Sequence, residues 1–245
     1  MPPRTALRRL LRWLGLLALA WVAVSWLFVL VLRFVPPWTS AVMMERQLSA
    51  WVHGEKDFHL RHRWVPWREV SPWVPLAMVA GEDQKFPFHH GFDFDQIQDA
   101  IDAADDGRRL RGASTISQQT AKNLFLWNGR SFIRKGLEAY FTVLLEATWP
   151  KRRILEVYMN IAELGDGIYG VGAASDTYFH VPPARLGPEQ AARLAAVLPS
   201  PRRFHVDRPS AYVQRRVDWI EKQMERLGGP GYLDSERPPA HTGRR

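Results

Sequence analysis

An uncharged stretch at residues 13–32 limits this chain more than any other feature. It holds no Asp, Glu, Lys or Arg, and its only polar side chain is Ser25. Twenty helical residues at a rise of about 1.5 Å cover roughly 30 Å, the thickness of a bilayer's hydrocarbon core. A cleaved signal has a shorter apolar region and a small-residue cleavage site. Here the run is followed by Arg33-Phe34-Val35-Pro36-Pro37, which offers none. The expectation is a retained membrane-spanning helix over residues 13–33. Arg4, Arg8, Arg9 and Arg12 precede it, whereas beyond Arg33 the next basic residue is Arg46. Basic flanks stay in the cytoplasm, so the remainder should lie outside the inner face. Trp13 and Trp38 flank the span as interface anchors.

The chain lacks cysteine, which excludes disulfides, thiolate metal sites and thiol nucleophiles. A formal charge of +8 suits polyanions: nucleic acid, anionic headgroups or pyrophosphate-bearing substrates. External placement of the domain argues against nucleic acid.

Pro36-Pro37 ends the anchor. Residues 34–69 read as a juxtamembrane linker whose tryptophans suggest contact with the bilayer surface, with a short strand or ribbon between Phe58 and Trp67. From Pro75 the pattern is helical. Thr115 with Gln118 forms a capping box, so a helix starts near Thr115. Ile133, Leu137, Tyr140, Phe141, Leu144, Leu145 and Thr148 share a helical face that Pro150 ends. Leu155, Tyr158 and Met159 continue on the next helix, which stops at Gly165-Asp-Gly167. Gly187-Pro188 opens a helix closed by Pro199. Val213, Val217, Ile220, Met224 and Leu227 form the final stripe, capped by Gly228. Residues 70–229 thus read as one mostly α-helical domain between a basic tail (1–12), the span and linker on one side and a disordered tail (230–245) on the other.

Three clusters carry polar chemistry. In the first, Glu82-Asp83 follows an apolar helix and lies near Phe86, Phe88, His89, Phe92 and Asp93; partial burial would raise a carboxyl pKa and suit a general base. The bland alternative is a polar turn. The second is Gly112-Ala-Ser114-Thr115-Ile-Ser-Gln118-Gln119-Thr-Ala-Lys122-Asn123, a helix start that attracts anions and puts Gln119 and Lys122 on one face; the alternative is a solvated helix face. The third groups Arg130, Arg134 and Lys135 around Glu138, for which a surface ion pair four residues apart is the plain account. The run from Asp102 to Arg111 reads as a mobile polar loop. No H-E-x-x-H, G-x-S-x-G or G-x-x-x-x-G-K-[ST] pattern occurs.

Taken together and in order, these clusters resemble the peptidoglycan glycosyltransferases, in particular the monofunctional biosynthetic transglycosylases. Glu82, Asp83, Phe86, His89, Gly91 and Asp93 match the family's E-D-x-x-F-x-x-H-x-G-x-D. Gly112, Ser114, Thr115, Ile116, Gln118, Gln119, Lys122 and Asn123 match G-x-S-T-I-x-Q-Q-x-x-K-N. Arg134, Lys135 and Glu138 match R-K-x-x-E. The stretch from Lys151 to Asn160 is similar to K-x-x-I-L-E-x-Y-L-N, with Met159 in place of leucine, and Gly170 to Ser175 resembles the family's next segment.

The resemblance implies a mainly α, lysozyme-like domain of two lobes around a cleft, tethered by one N-terminal transmembrane helix. It implies lipid II and the nascent glycan strand as substrates, membrane lipids and other cell-wall synthesis or division proteins as partners, and a bacterial inner-membrane location with the catalytic domain in the periplasm. Glu82 and Glu138 are the implied catalytic residues. Asp83, Phe86, His89, Ser114, Thr115, Gln118, Gln119, Lys122, Asn123, Arg130, Arg134 and Lys135 are the implied substrate contacts. A divalent cation, Mg²⁺ or Mn²⁺, bridging the pyrophosphate near Glu138 is the implied cofactor. The S-x-x-K, S-x-N and K-T-G signatures of a penicillin-binding domain do not occur, so no transpeptidase activity is expected. Two rival classes remain at this level: a lysozyme-like enzyme that cuts the same polymer, since paired carboxylates also serve hydrolysis, and a membrane-anchored scaffold.

Overall fold

The structure is a computed structural model that describes residues 4–96, 98, 102, 114–129 and 131–234. Gly112, Arg130 and most of the 102–111 charge run lie outside the described residues, as do 235–245.

Helix α1, Arg4–Leu32, begins nine residues before the apolar run, because arginines are good helix formers and no Gly or Pro interrupts 4–14. Its 26 residues from Leu7 to Leu32 are long and apolar enough to cross a membrane. The N-terminal half is exposed; the C-terminal half docks on the domain. Trp21 packs on the Tyr140 ring at 4.9 Å, and Ser25 Oγ lies 2.6 Å from Tyr140 Oη. Trp149 Nε1 donates to the Val29 carbonyl at 2.8 Å, and Arg153 donates to the carbonyls of Leu32 and Val35. The bond to Leu32 caps a carbonyl that the helix end leaves without a backbone partner.

Residues 34–69, expected as a linker, are instead built into the domain from residue 41 onward. Helix α2, Ala41–Val52, is N-capped by Ser40 and buries Val42, Met43, Arg46 and Ala50. The expected short strand is β1, Arg61–His62. The helical periodicity is masked because α2 is apolar on both sides: Met44, Leu48, Trp51 and Val52 form a second, exposed face.

The remaining elements surround α3, Trp73–Glu82, in which every residue from Val74 through Ala80 is buried. A helix apolar all round must sit in the middle of a domain. Around it run α4 (Ile116–Phe125), α5 (Phe132–Thr148), α6 (Lys151–Ile161), α7 (Gly170–Ala174), α8 (Pro188–Val197) and α9 (Ala211–Arg226). Helices α6, α8 and α9 pack on α3, and α4 packs on α5 and α6. Between α6 and α7 lie β2, Glu163–Gly165, and β3, Ile168–Tyr169. The sheet order is β1-β3-β2, with β1 parallel and β2 antiparallel to β3. Gly170 follows β3 at φ +78°, where a Cβ would meet the Asn160 carbonyl oxygen at 2.3 Å, so only glycine fits. The C-terminal boundary also differs from expectation: Pro230–Asp234 forms a 3₁₀ turn whose Tyr232 is buried and donates to the Gln84 carbonyl.

Arg46 fastens α2 to the sheet. Its guanidinium pairs with Glu55 at 2.7 Å and Asp166 at 3.0 Å, and stacks over Phe58 at 3.9 Å. The arginine is buried while both carboxylates stay half-exposed, so the pairs count for less than buried ones. Arg46→Ala is expected to cost about 1–3 kcal/mol, read as a lower thermal midpoint of the detergent-solubilised protein, with Arg46→Lys in between.

Candidate active site

Glu82 ends α3, and Asp83 is its C-cap. Asp83 is buried and Oδ2 accepts the Ile116 backbone N–H, the first of α4, at 2.9 Å. An anion at a helix start satisfies an otherwise unpaired donor and meets the positive end of the helix dipole. His89 Nδ1 accepts the Gly91 N–H, so its proton sits on Nε2, which donates to Asp83 at 2.9 Å. Thr115 and Gln118 make the expected capping box, and Thr115 Oγ1 also donates to the Gly91 carbonyl at 2.6 Å. Phe86 is buried beneath the Lys151 ammonium, 4.6 Å above its ring. Asp83, Phe86, His89, Thr115 and Gln118 therefore hold the turn that follows α3 against the start of α4.

That join brings Gln119 to Glu82. Gln119 Nε2 donates to Glu82 Oε2 at 3.0 Å, and Arg216, from α9, donates to Oε1 at 2.9 Å. Glu82 remains 14% exposed. Burial raises its carboxyl pKa, opposed by Gln119 and Arg216. The expected aromatic neighbours make their ring contacts elsewhere, Phe86 with Lys151 and His89, and Phe88 with Tyr232; the polar partners of Glu82 come from α4 and α9.

One turn along α4, Lys122 faces a second charged group. Burial lowers its pKa; the Glu138 carboxylate raises it and the neighbouring Arg134 and Lys135 lower it. No hydrogen bond or salt bridge among the described residues engages its ammonium. Glu138 is not a surface ion-pair member. It is 3% exposed, with Arg134 Nη1 at 2.6 Å and Lys135 Nζ at 2.5 Å on its two oxygens. Lys135 also reaches Ser114 Oγ at 3.5 Å, so Ser114 lies at the edge of this group. Asn123 is half-buried on α4, and Arg130 lies outside the described residues.

A divalent ion held by the protein does not fit here. Both Glu138 oxygens are taken by cations, and among the described residues no group of three His, Cys, Asp or Glu could hold a metal.

Two contributors escaped the sequence. Arg216 lies 134 residues from Glu82 in an amphipathic helix where it reads as an ordinary surface charge. Tyr158, fully buried, donates to Gln119 Oε1 at 3.1 Å; it lies within a recognised stretch but carries no role there.

The arrangement has one end with a paired, partly exposed carboxylate able to accept a proton, and another with three cations around a buried carboxylate. α4 carries a residue of each. Residues 50–225 match the profile of the transglycosylase family, and the chain belongs to that family. Its curated relatives include biosynthetic peptidoglycan transglycosylases of Xanthomonas campestris pv. campestris (strain B100), 56% identical over 96% of this chain and 95% of the relative, and of Chromohalobacter salexigens, 54% identical over 94% and 98%. That of Xylella fastidiosa is 54% identical over 93% and 92%. The domain is lysozyme-like in fold, and the matched region begins at residue 50, inside the segment expected as a linker.

Arg216 favours the ionised form of Glu82. In Arg216→Gln the carboxyl should titrate higher still, so the acid limb of the pH–rate profile moves to higher pH while the alkaline limb stays. A profile with an unmoved acid limb would show that Glu82 is not the titrating base.

Proposed function

We propose that this chain is a peptidoglycan glycosyltransferase that polymerises lipid II into β-1,4-linked glycan strands for the cell wall, releasing polyprenyl diphosphate. The observation that carries this is the pairing, through α4, of a proton-accepting carboxylate with a cluster of cations. Cleavage of a finished glycan has no diphosphate to stabilise, so the cations favour synthesis over hydrolysis.

On this reading the acceptor's GlcNAc 4-hydroxyl loses its proton to Glu82 as its oxygen attacks C1 of the growing strand. The C1–O bond to the diphosphate breaks, and the α linkage becomes β by single displacement. A hydroxyl is a weak nucleophile at neutral pH, which is why a positioned base is required. The departing diphosphate takes the electron pair, and its negative charge is met by Lys122, with Arg130 and Lys135 as further candidates. Lys122 suits this because its ammonium is partly desolvated and no described residue hydrogen-bonds to it. Glu138 holds Arg134 and Lys135 in place between them. The expected divalent cation enters as the counter-ion of the diphosphate, as part of the substrate.

The proposed location rests on α1, which is long and apolar enough to cross a membrane. With Arg4, Arg8, Arg9 and Arg12 in the cytoplasm, α1 spans the inner membrane once and leaves the domain on the periplasmic side. Phe28 of α1 contacts Phe125 at the end of α4, and Glu45 of α2 accepts the Asn128 N–H just beyond it. These links support a reading in which α2 lies near the level where α1 leaves the bilayer and its exposed Met44, Leu48, Trp51 and Val52 rest on the lipid surface.

Labelled lipid II incubated with the detergent-purified protein should give lysozyme-sensitive polymer, and Glu82→Gln should lower the rate by about 10²–10⁴ while folding normally. A folded Glu82→Gln protein with the wild-type rate would remove Glu82 from the role of base. For the α2 surface, Leu48→Glu with Trp51→Glu is expected to slow polymerisation of long-chain lipid II several-fold in liposomes and to spare a short-chain, water-soluble analogue. Equal slowing of both substrates would argue against lipid contact.

A further inference from the structure

Glu82 can be supported by Gln119 only if the amide presents its nitrogen. A carboxamide has a donating and an accepting end, and turning it over would set its oxygen against the carboxylate. The choice between the ends is made on the far side of Gln119. There the Tyr158 hydroxyl lies 3.1 Å from Oε1, fully buried, and Oε1 is the acceptor the structure gives its proton. Burial and the nearby Glu82 and Asp83 carboxylates keep the phenol protonated. With the amide reversed, the Tyr158 proton would lose its acceptor and Glu82 its donor together. The Ser114 carbonyl, 3.5 Å from Nε2, favours the same orientation.

We propose that Tyr158 is a positioning residue for the base: its buried hydroxyl fixes which end of the Gln119 amide faces Glu82. It touches neither substrate nor reacting atoms and acts through Gln119 alone. The inference rests on the proposed role of Glu82. Among the described residues, the groups that face Glu82 are Gln119 from α4, Tyr158 behind it from α6, Arg216 from α9 and the adjacent Asp83. Beside Gly81, α8 presents Ala195 and α9 presents Ile220, which bear no charge, together with the same Arg216, which donates to the Gly81 carbonyl at 3.2 Å. Losing the Tyr158 hydroxyl frees the amide to rotate, so a lone acceptor competes for the place beside Glu82 and its ionised form loses a donor.

The test follows the Glu82 carboxyl directly, by isotope-edited infrared titration of the full chain in detergent, with Glu82→Gln assigning the band. In Tyr158→Phe, which keeps the ring, the midpoint should move to higher pH. The polymerisation kcat at neutral pH should fall about two- to tenfold, the factor set by one net hydrogen bond, with KM unchanged. In a Gln119→Ala background, Tyr158→Phe should change neither quantity further. An unmoved midpoint, or the same loss in the Gln119→Ala background, overturns the proposal. Replacing Tyr158 by 3-fluorotyrosine preserves its size and strengthens the donor; it should shift the midpoint the opposite way, which keeps the test valid should the phenylalanine variant fold poorly. Absence of polymer from the wild type would instead sink the proposed function and leave the titration result standing.

Discussion

The bond from the Ile116 N–H to the Asp83 carboxylate is the constraint on which the site depends. It joins the end of α3 to the start of α4 in a buried setting, where leaving either group unpaired would cost about 1–3 kcal/mol. Because Glu82 immediately precedes Asp83, fixing Asp83 also fixes where Glu82 meets α4. The His89 bond and the Thr115–Gln118 capping box leave this junction little freedom. Polar side chains that look like substrate contacts in the sequence are thus largely engaged in holding two helix ends together.

From that junction α4 acts as a spacer. Gln119, in its first turn, donates to Glu82, the proposed base, and Lys122, three residues on, faces the cation cluster. Both groups are partly withdrawn from water, with opposite consequences. Burial biases Glu82 toward its neutral form and Lys122 toward losing its proton, and each is held near its working state by counter-charges: Arg216 for the carboxylate, Glu138 for the ammonium. A nucleophile's proton and a leaving diphosphate's charge can then be handled at two ends of one rigid element, without either end neutralising the other.

Much of this is legible in the sequence because it is local. The capping box and the proline-bounded helices depend on residues a few positions apart, and they appear where their patterns put them; α6, by contrast, ends at Ile161, short of the expected stop at Gly165-Asp-Gly167, and β2 takes over at Glu163. The charged motifs can be recognised by their order. Their division of labour cannot, since Phe86 and Thr115 differ from Gln119 and Lys122 only in what lies opposite them in space. Arg216 is invisible because its partner is remote, and an arginine on an amphipathic helix has no distinguishing mark. Residues 34–69 mislead for a related reason: α2 buries one apolar face in the domain and leaves another outside, which erases the single-faced periodicity that betrays a helix. Glu138 looks superficial because an i,i+4 ion pair is usually exposed; here the pair lies under the domain surface.

On the proposed reading, the site builds glycan by displacing a diphosphate. The most direct measurement is the stoichiometry of polyprenyl diphosphate released per disaccharide incorporated, with the linkage of the product determined in the same reaction. One diphosphate is expected for each new bond, with β-1,4 linkages made from α-linked donors. Cleavage of preformed strands, with lipid II consumed at no measurable rate and no diphosphate released, would contradict it.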